Sequence, residues 1–184
     1  MNHHELWQLY NENGEAAVGE TIARTSVRDA NAHANVGAVH VWLWCRNDDN
    51  SIDVFLQRRS QVVKNHPGKL DISFAGHVDA GETPLDAAYR EGVEELGYEI
   101  DTEKLVYIFG YRNFHNGTKW EYLYQVDPGV EFTFDDGEVS EIRRVPLDVF
   151  AEMIRDPEAH ELVPHKAEYY SLLLQALRYF DENH

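Results

Sequence analysis

Residues 76–98 read GHVDAGETPLDAAYREGVEELGY. Gly76 is followed after five residues by Glu82, and after seven more by Arg90-Glu91, then Glu94-Glu95 and Gly97. The second half predicts a helix. Thr83 suits the N-cap, and Pro84 the first helical position, where its missing N–H has no partner to lose. Gly97 suits the C-terminal stop, because a left-handed glycine carries no Cβ penalty. At about 100° per residue, Leu85, Ala88, Tyr89, Gly92 and Leu96 fall on one face. Glu91, Glu94 and Glu95 gather beside it. Like charges at this spacing repel by roughly 0.2–0.5 kcal/mol a pair. A solvated surface is the ordinary meaning of an acidic run. Carboxylates this close, with one neighbouring arginine, also suit a hard divalent cation. Mg²⁺ takes oxygen ligands and usually arrives with substrate phosphates.

The stretch resembles the Nudix box, G-x5-E-x7-R-E-U-x-E-E-x-G-U, where U is a bulky aliphatic. Gly76, Glu82, Arg90, Glu91, Glu94, Glu95 and Gly97 match in register. Gly92 and Tyr98 depart from it, both at aliphatic positions. Gly92 costs about 1 kcal/mol of helix propensity relative to alanine, which points to close approach of the helix to a sheet. The resemblance implies an α/β protein, an α/β/α sandwich around a mixed β-sheet. It implies a Mg²⁺- or Mn²⁺-dependent hydrolase of a small diphosphate compound, commonly a nucleoside diphosphate joined to another group. Roles follow by position. Glu91 and Glu95 match metal carboxylates, Glu94 usually joins them, and the Gly76 carbonyl matches a backbone ligand. Glu82 matches a loop support, and Arg90 the arginine that orients a box carboxylate. The base that takes the proton of water varies in this family. A box glutamate can serve, as can Glu138 or Glu141 from a later loop, with Glu121 third.

A longer resemblance runs from Val39 to Gly97, through VHVWLWC, FLQRRS and PGKLDISFAGHV. It is to the Nudix branch related to isopentenyl diphosphate isomerase. That family places a catalytic cysteine before the Gly-His of the box, where this chain has Ala75. The histidine is kept as His77, open to a substrate or metal contact or to a structural role. A glutamate pair on a later strand reduces to Glu121, with Lys119 in the other place. Of the upstream metal histidines only His33 is near, and Val36 takes one position. An alanine cannot transfer a proton, so hydrolysis is expected over isomerisation. A non-catalytic nucleotide-sensing module would not need the complete carboxylate set.

The chain has 184 residues and is expected to be one domain. Residues 1–35 form an N-terminal hairpin and short helix, 36–150 the Nudix core, and 151–184 the C-terminal helices. The net charge is −17, from 33 acidic and 16 basic residues, against a nucleic-acid partner or an anionic membrane surface. A phosphorylated small molecule can still bind where basic groups and metal are focused. The single Cys45 excludes an internal disulfide and a cysteine-rich zinc site, and its apolar neighbours predict a buried thiol. No apolar run is long enough to span a membrane, so the cytoplasm is the expected location. A homodimer is the assembly the resemblance suggests.

Along the chain, Asn13-Gly14 marks a hairpin turn. Residues 21–31 predict a short helix carrying Arg24 and Arg28. Residues 36–46, apolar on both alternating sets, predict a central strand. Strands are also expected over 53–58, 70–75, 105–112, 120–126 and 139–145, and helices over 146–155 and 165–180, with the last residues frayed. Arg58, Arg59, Lys64 and Lys69 fall within one short stretch of an acidic chain. Arg59 and Lys64 are open to a substrate-phosphate contact or a solubilising loop; Lys69 reads as surface.

Overall fold

The computed structural model describes residues 6–11, 13–23, 35–113, 117–135 and 137–183. β1 (Leu6–Tyr10) and β2 (Ala16–Ala23) form an antiparallel hairpin. Its turn passes through Gly14 at φ 78°, a left-handed conformation that suits glycine. The expected helix over 21–31 does not begin at Thr21. Thr21, Ile22 and Ala23 pair with Gln8, Trp7 and Leu6, so cross-strand bonds take the groups a helix would have used. The rest of that helix, with Arg24 and Arg28, lies outside the described residues, as does His33.

β3 (Gly37–Arg46) is the central strand. Val39, Val41 and Leu43 enter one apolar core, and Trp42 and Trp44 the other. It runs parallel to β8 (Gly117–Gln125), and antiparallel to β4 (Ile52–Arg59) and β6 (Phe74–His77). With β5 (Leu70–Asp71), β7 (Val106–Asn113) and β9 (Val139–Pro146), the mixed sheet has the order β5-β4-β3-β8-β7. β6 adds to β3, and β9 to β4.

β3 and β4 part company midway. Leu43 to Arg46 pair with β4, whereas Ala38 to Val41 pair with β6. Beyond the parting, Gln57 and Arg58 of β4 pair with β5. The strand expected over 70–75 is therefore two short pieces wedged into a split sheet. Ser73 stands at the fork, fully buried. Its hydroxyl accepts from the Leu43 N–H at 2.7 Å and donates to the Phe55 carbonyl. One side chain thus satisfies two backbone groups that the split would leave unpaired.

Helices cover both faces. α1 (Pro84–Leu96) packs with the Val39 core, and α3 (Ala167–Asn183) with the Trp42 core, where α2 (Leu147–Met153) also contributes Phe150. This is the α/β/α sandwich the box implied. Pro146 closes β9 and precedes α2, which ends at Met153 rather than Arg155. α3 starts two residues after His165, whose ring is held by Asp71 at 2.9 Å. It continues through Asn183 instead of fraying. Arg46 donates to the Phe180 carbonyl at 2.7 Å and pairs with Asp181 at 3.6 Å, tying that end to β3. Cys45 is a buried free thiol. Among the described residues no helix is long and apolar enough to cross a membrane.

Candidate active site

α1 has the ends its sequence predicts. Thr83 accepts from the Asp86 N–H at 3.2 Å, and Asp86 accepts from the Thr83 N–H at 2.9 Å, a reciprocal capping box. Gly97 is left-handed at φ 58° and donates to the Val93 carbonyl. The buried face differs from the expected stripe. Ala87, Ala88, Gly92, Glu95 and Leu96 are buried, whereas Leu85 and Tyr89 are 40% and 41% exposed. Close approach explains this: a Cβ on Gly92 would lie 3.1 Å from the Tyr98 carbonyl oxygen and 3.5 Å from the Phe74 ring. Small residues and a carboxylate occupy a face too tight for Leu85 and Tyr89.

Arg90 ties the helix to the loop after β6. Its guanidinium donates to both oxygens of Glu82, at 2.8 and 3.0 Å, and to the His77 carbonyl at 2.8 Å. It also donates to Glu91 at 2.7 Å and to Glu94 at 3.0 Å. Glu82 in turn accepts from the Asp79 N–H at 3.0 Å. Burial works against the Arg90 charge, but its bonds to Glu82 and Glu91 hold its pKa above the ordinary value.

Glu91 lies against Gly76, where any Cβ would overlap its carboxylate. Burial pushes the Glu91 carboxyl up to about 7, against the pull of Arg90. Glu95, 6% exposed, accepts from Gln57 at 3.2 Å. Among the described residues no three His, Cys, Asp or Glu side chains form a ready metal cage. Arg90 bridges Glu91 and Glu94, and Gln57 holds Glu95. The donors are nevertheless the hard oxygens that Mg²⁺ prefers, and Mg²⁺ commonly takes few carboxylates, completing its shell with substrate oxygens and water. The glycine cradle around Glu91, which a side chain would fill, fits such an ion.

The sheet face away from α1 carries a second polar group. Ala38 pairs with His77 on one side and Lys119 on the other; His40 pairs with Ala75 and Glu121. Glu121 is fully buried, with Oε1 2.6 Å from His40 Nδ1 and Oε2 accepting from the Tyr169 hydroxyl at 2.8 Å. Trp42 donates to the same hydroxyl at 3.0 Å. Burial, then Glu121, pushes the Tyr169 and Tyr111 hydroxyls above their ordinary pKa. Burial pulls the Lys119 ammonium down to about 8, with Glu121 opposing. The His77 ring stacks on Trp7 at 3.7 Å and 4°. β1 also bonds the loop itself: Gln8 N–H reaches the Val78 carbonyl, and Ala80 N–H the Leu6 carbonyl.

The structure thus brings Gly76, Glu82, Arg90, Glu91 and Glu94 into one bonded group, with Glu95 on the same helix. His77 joins through its carbonyl, and Glu121 lies across the sheet from that helix. Glu141 is elsewhere: Arg58 at 3.0 Å and Arg143 at 3.3 Å hold its carboxyl, despite burial, below its ordinary range. Its cross-strand partner Arg58 is one residue out of step with Gln57, so the strand separates it from Glu95. Glu138 is exposed, its carbonyl accepting from the Ser60 N–H. Arg59 donates to the Asn65 carbonyl at 2.9 Å and pairs with Asp71 at 3.5 Å; Lys64 is exposed on that loop. The site contacts of Trp7, His40, Gln57 and Tyr169 escaped the sequence reading. Each comes from a partner at least 38 residues away, as that of Gln57 does from Glu95, and no local pattern marks them.

A model of the NUDIX domain matches residues 36–171. Nudix hydrolase 3 of Arabidopsis thaliana is 33% identical over 135 residues, covering 67% of this chain and 17% of that much longer protein. An isopentenyl-diphosphate Delta-isomerase of Clavibacter sepedonicus is 31% identical over 88 residues, covering 48% of this chain and 45% of its own. The crystal structure of DR0079 from Deinococcus radiodurans superposes with a TM-score of 0.69 at 25% identity, covering 94% of this chain and 98% of that one. The family match takes in every residue of the Arg90 group as well as the strands that hold it, and the chain belongs to the Nudix family.

Proposed function

We propose that the chain hydrolyses a diphosphate linkage in a small substrate of the nucleoside diphosphate-linked kind, with Mg²⁺ or Mn²⁺. The observation that carries this reading is Glu91, partly buried against the Gly76 cradle and bonded by the same arginine that fixes the following loop. Glu91, Glu95 and the Gly76 carbonyl would hold the ion. When bound, it supplies charge neutralisation at the phosphates and a more acidic water. Arg90 and Glu82 keep the loop in place. Glu94, more than half exposed on its side chain and held by one arginine contact, is placed to accept the proton of the attacking water. A P–O bond forms to that water, the bridging P–O bond breaks, and its electron pair leaves with the departing phosphate.

Isomerisation is the weaker reading. Ala75 faces His40 across the strand pair, and its methyl has no proton to give. The test is a panel of diphosphate compounds with Mg²⁺ or Mn²⁺, products identified by mass. Hydrolysis lost in Glu95→Gln with the fold retained supports the proposal. Unchanged turnover sinks it, and conversion of isopentenyl diphosphate would restore the isomerase.

A further inference from the structure

The hydrolytic group on α1 leaves one buried charge unused. Lys119 is 8% exposed, and among the described residues no hydrogen bond or ion pair to its ammonium is seen, while the fully enclosed side-chain atom left without a partner is its neighbour Thr118 Oγ1. Glu121, two residues along the same face, attracts it through space but makes no hydrogen bond or ion pair with it. Its Oε1 is engaged by His40 and its Oε2 by Tyr169. A buried ammonium is costly unless something pairs with it. The next residue across β3 is Ala38, and beyond it His77 on β6. A methyl group therefore separates the lysine from the loop that leads into α1. Ala75, Gly76 and His77 keep partial exposure, so this end of the face is open to solvent. In a chain of net charge −17, a mostly buried cation with no contact partner among the described residues is a local reversal of sign that an anion would complete.

We propose that Lys119 binds an anionic oxygen of the substrate, either a phosphate of the cleaved linkage or an acidic group on the moiety attached to it. Calling the ligand a substrate rests on the hydrolase reading; anion binding by Lys119 does not. The test is therefore calorimetry on the full chain in EDTA, where no hydrolysis contributes. The probes are methylenediphosphonate, UDP-glucose and UDP-glucuronate. Lys119→Met should weaken every probe at least tenfold if the linkage phosphates are the source. It should weaken UDP-glucuronate alone if the attached acidic group is. Lys119→Arg, which keeps the charge, should retain most of the affinity and guards against a folding defect. Lys119→Met should also melt at a higher temperature than the wild type, because a mostly buried charge has gone. Wild-type affinity for all three probes in a folded Lys119→Met chain overturns the proposal, as does a wild-type chain that binds none of them. Loss of hydrolysis in Glu95→Gln is a separate measurement, so the two readings fail independently.

Discussion

Glu91 carries its charge where water is scarce. Its carboxyl stands at about 7 in the folded chain against an ordinary 4.5, so the native state holds this proton more tightly than the unfolded one. The associated stability is complete below about pH 4.5 and lost as pH rises through about 7. Without metal, Glu91→Gln should match the wild type at the acid end and exceed it by about 1–3 kcal/mol at pH 8. Thermal melts in EDTA at the two pH values decide this, and parallel profiles would refute it. Gly76 makes the reciprocal case. Gly76→Ala must drive the Glu91 carboxylate from its cradle. The apparent Mg²⁺ affinity in the hydrolysis assay should fall roughly 10–100-fold, the scale of losing a group that orients a ligand. An unchanged Mg²⁺ titration would remove Glu91 from the ligand set. Both residues were visible in sequence as box positions. The raised carboxyl was not, because it depends on burial contributed by elements outside the helix.

Among the elements, α1 was the most legible. Its N-cap threonine, first-turn proline and C-terminal glycine are all signals spaced a few residues apart, and each appears where the spacing put it, while the reciprocal bond to Asp86 is added by the structure. Gly97→Ala should cost about 1–3 kcal/mol in urea unfolding, since it meets a positive φ and the Thr133 side chain together. A loss below 0.5 kcal/mol would mean the cap can relax. The buried face of α1 was less legible: periodicity proposed Ala88, Gly92 and Leu96 correctly but also Leu85 and Tyr89, while close packing selected Ala87 and Glu95 instead. The divided strand at 70–77 was hidden for a related reason. Whether a run of apolar residues forms one strand or two depends on the course of β3 and β4, which those residues do not encode. Ser73→Ala tests the fork. Removing the hydroxyl strands the Leu43 N–H and the Phe55 carbonyl, at a cost of about 1–3 kcal/mol, measured by equilibrium unfolding. A neutral outcome would show that the backbone closes the gap unaided.

For the whole molecule, the dominant long-range fact is a net charge of −17, which would face the anionic substrate proposed above. Screening should therefore help. At saturating Mg²⁺, kcat/KM should rise severalfold as monovalent salt goes from about 10 to 150 mM and the screening length contracts from about 30 to 8 Å. A fall instead would mean that the local field of the cleft outweighs the global one. The sandwich itself was legible from the order of strands and helices, whereas the polar group on the far face was not. That group depends on β3 lying parallel to β8, which brings together His40 and Glu121, 81 residues apart. The same pairing has a kinetic meaning. The β3–β4 hairpin and α1 form from neighbouring segments, while the β3–β8 register must close a long loop first, and such closures are slow. During refolding the acidic helix should thus be in place before the floor carrying Lys119 and Glu121 exists. Pulse-labelling exchange should protect amides of 43–46 and 52–55 ahead of those of 118–125; simultaneous protection would show that the sheet condenses in a single step.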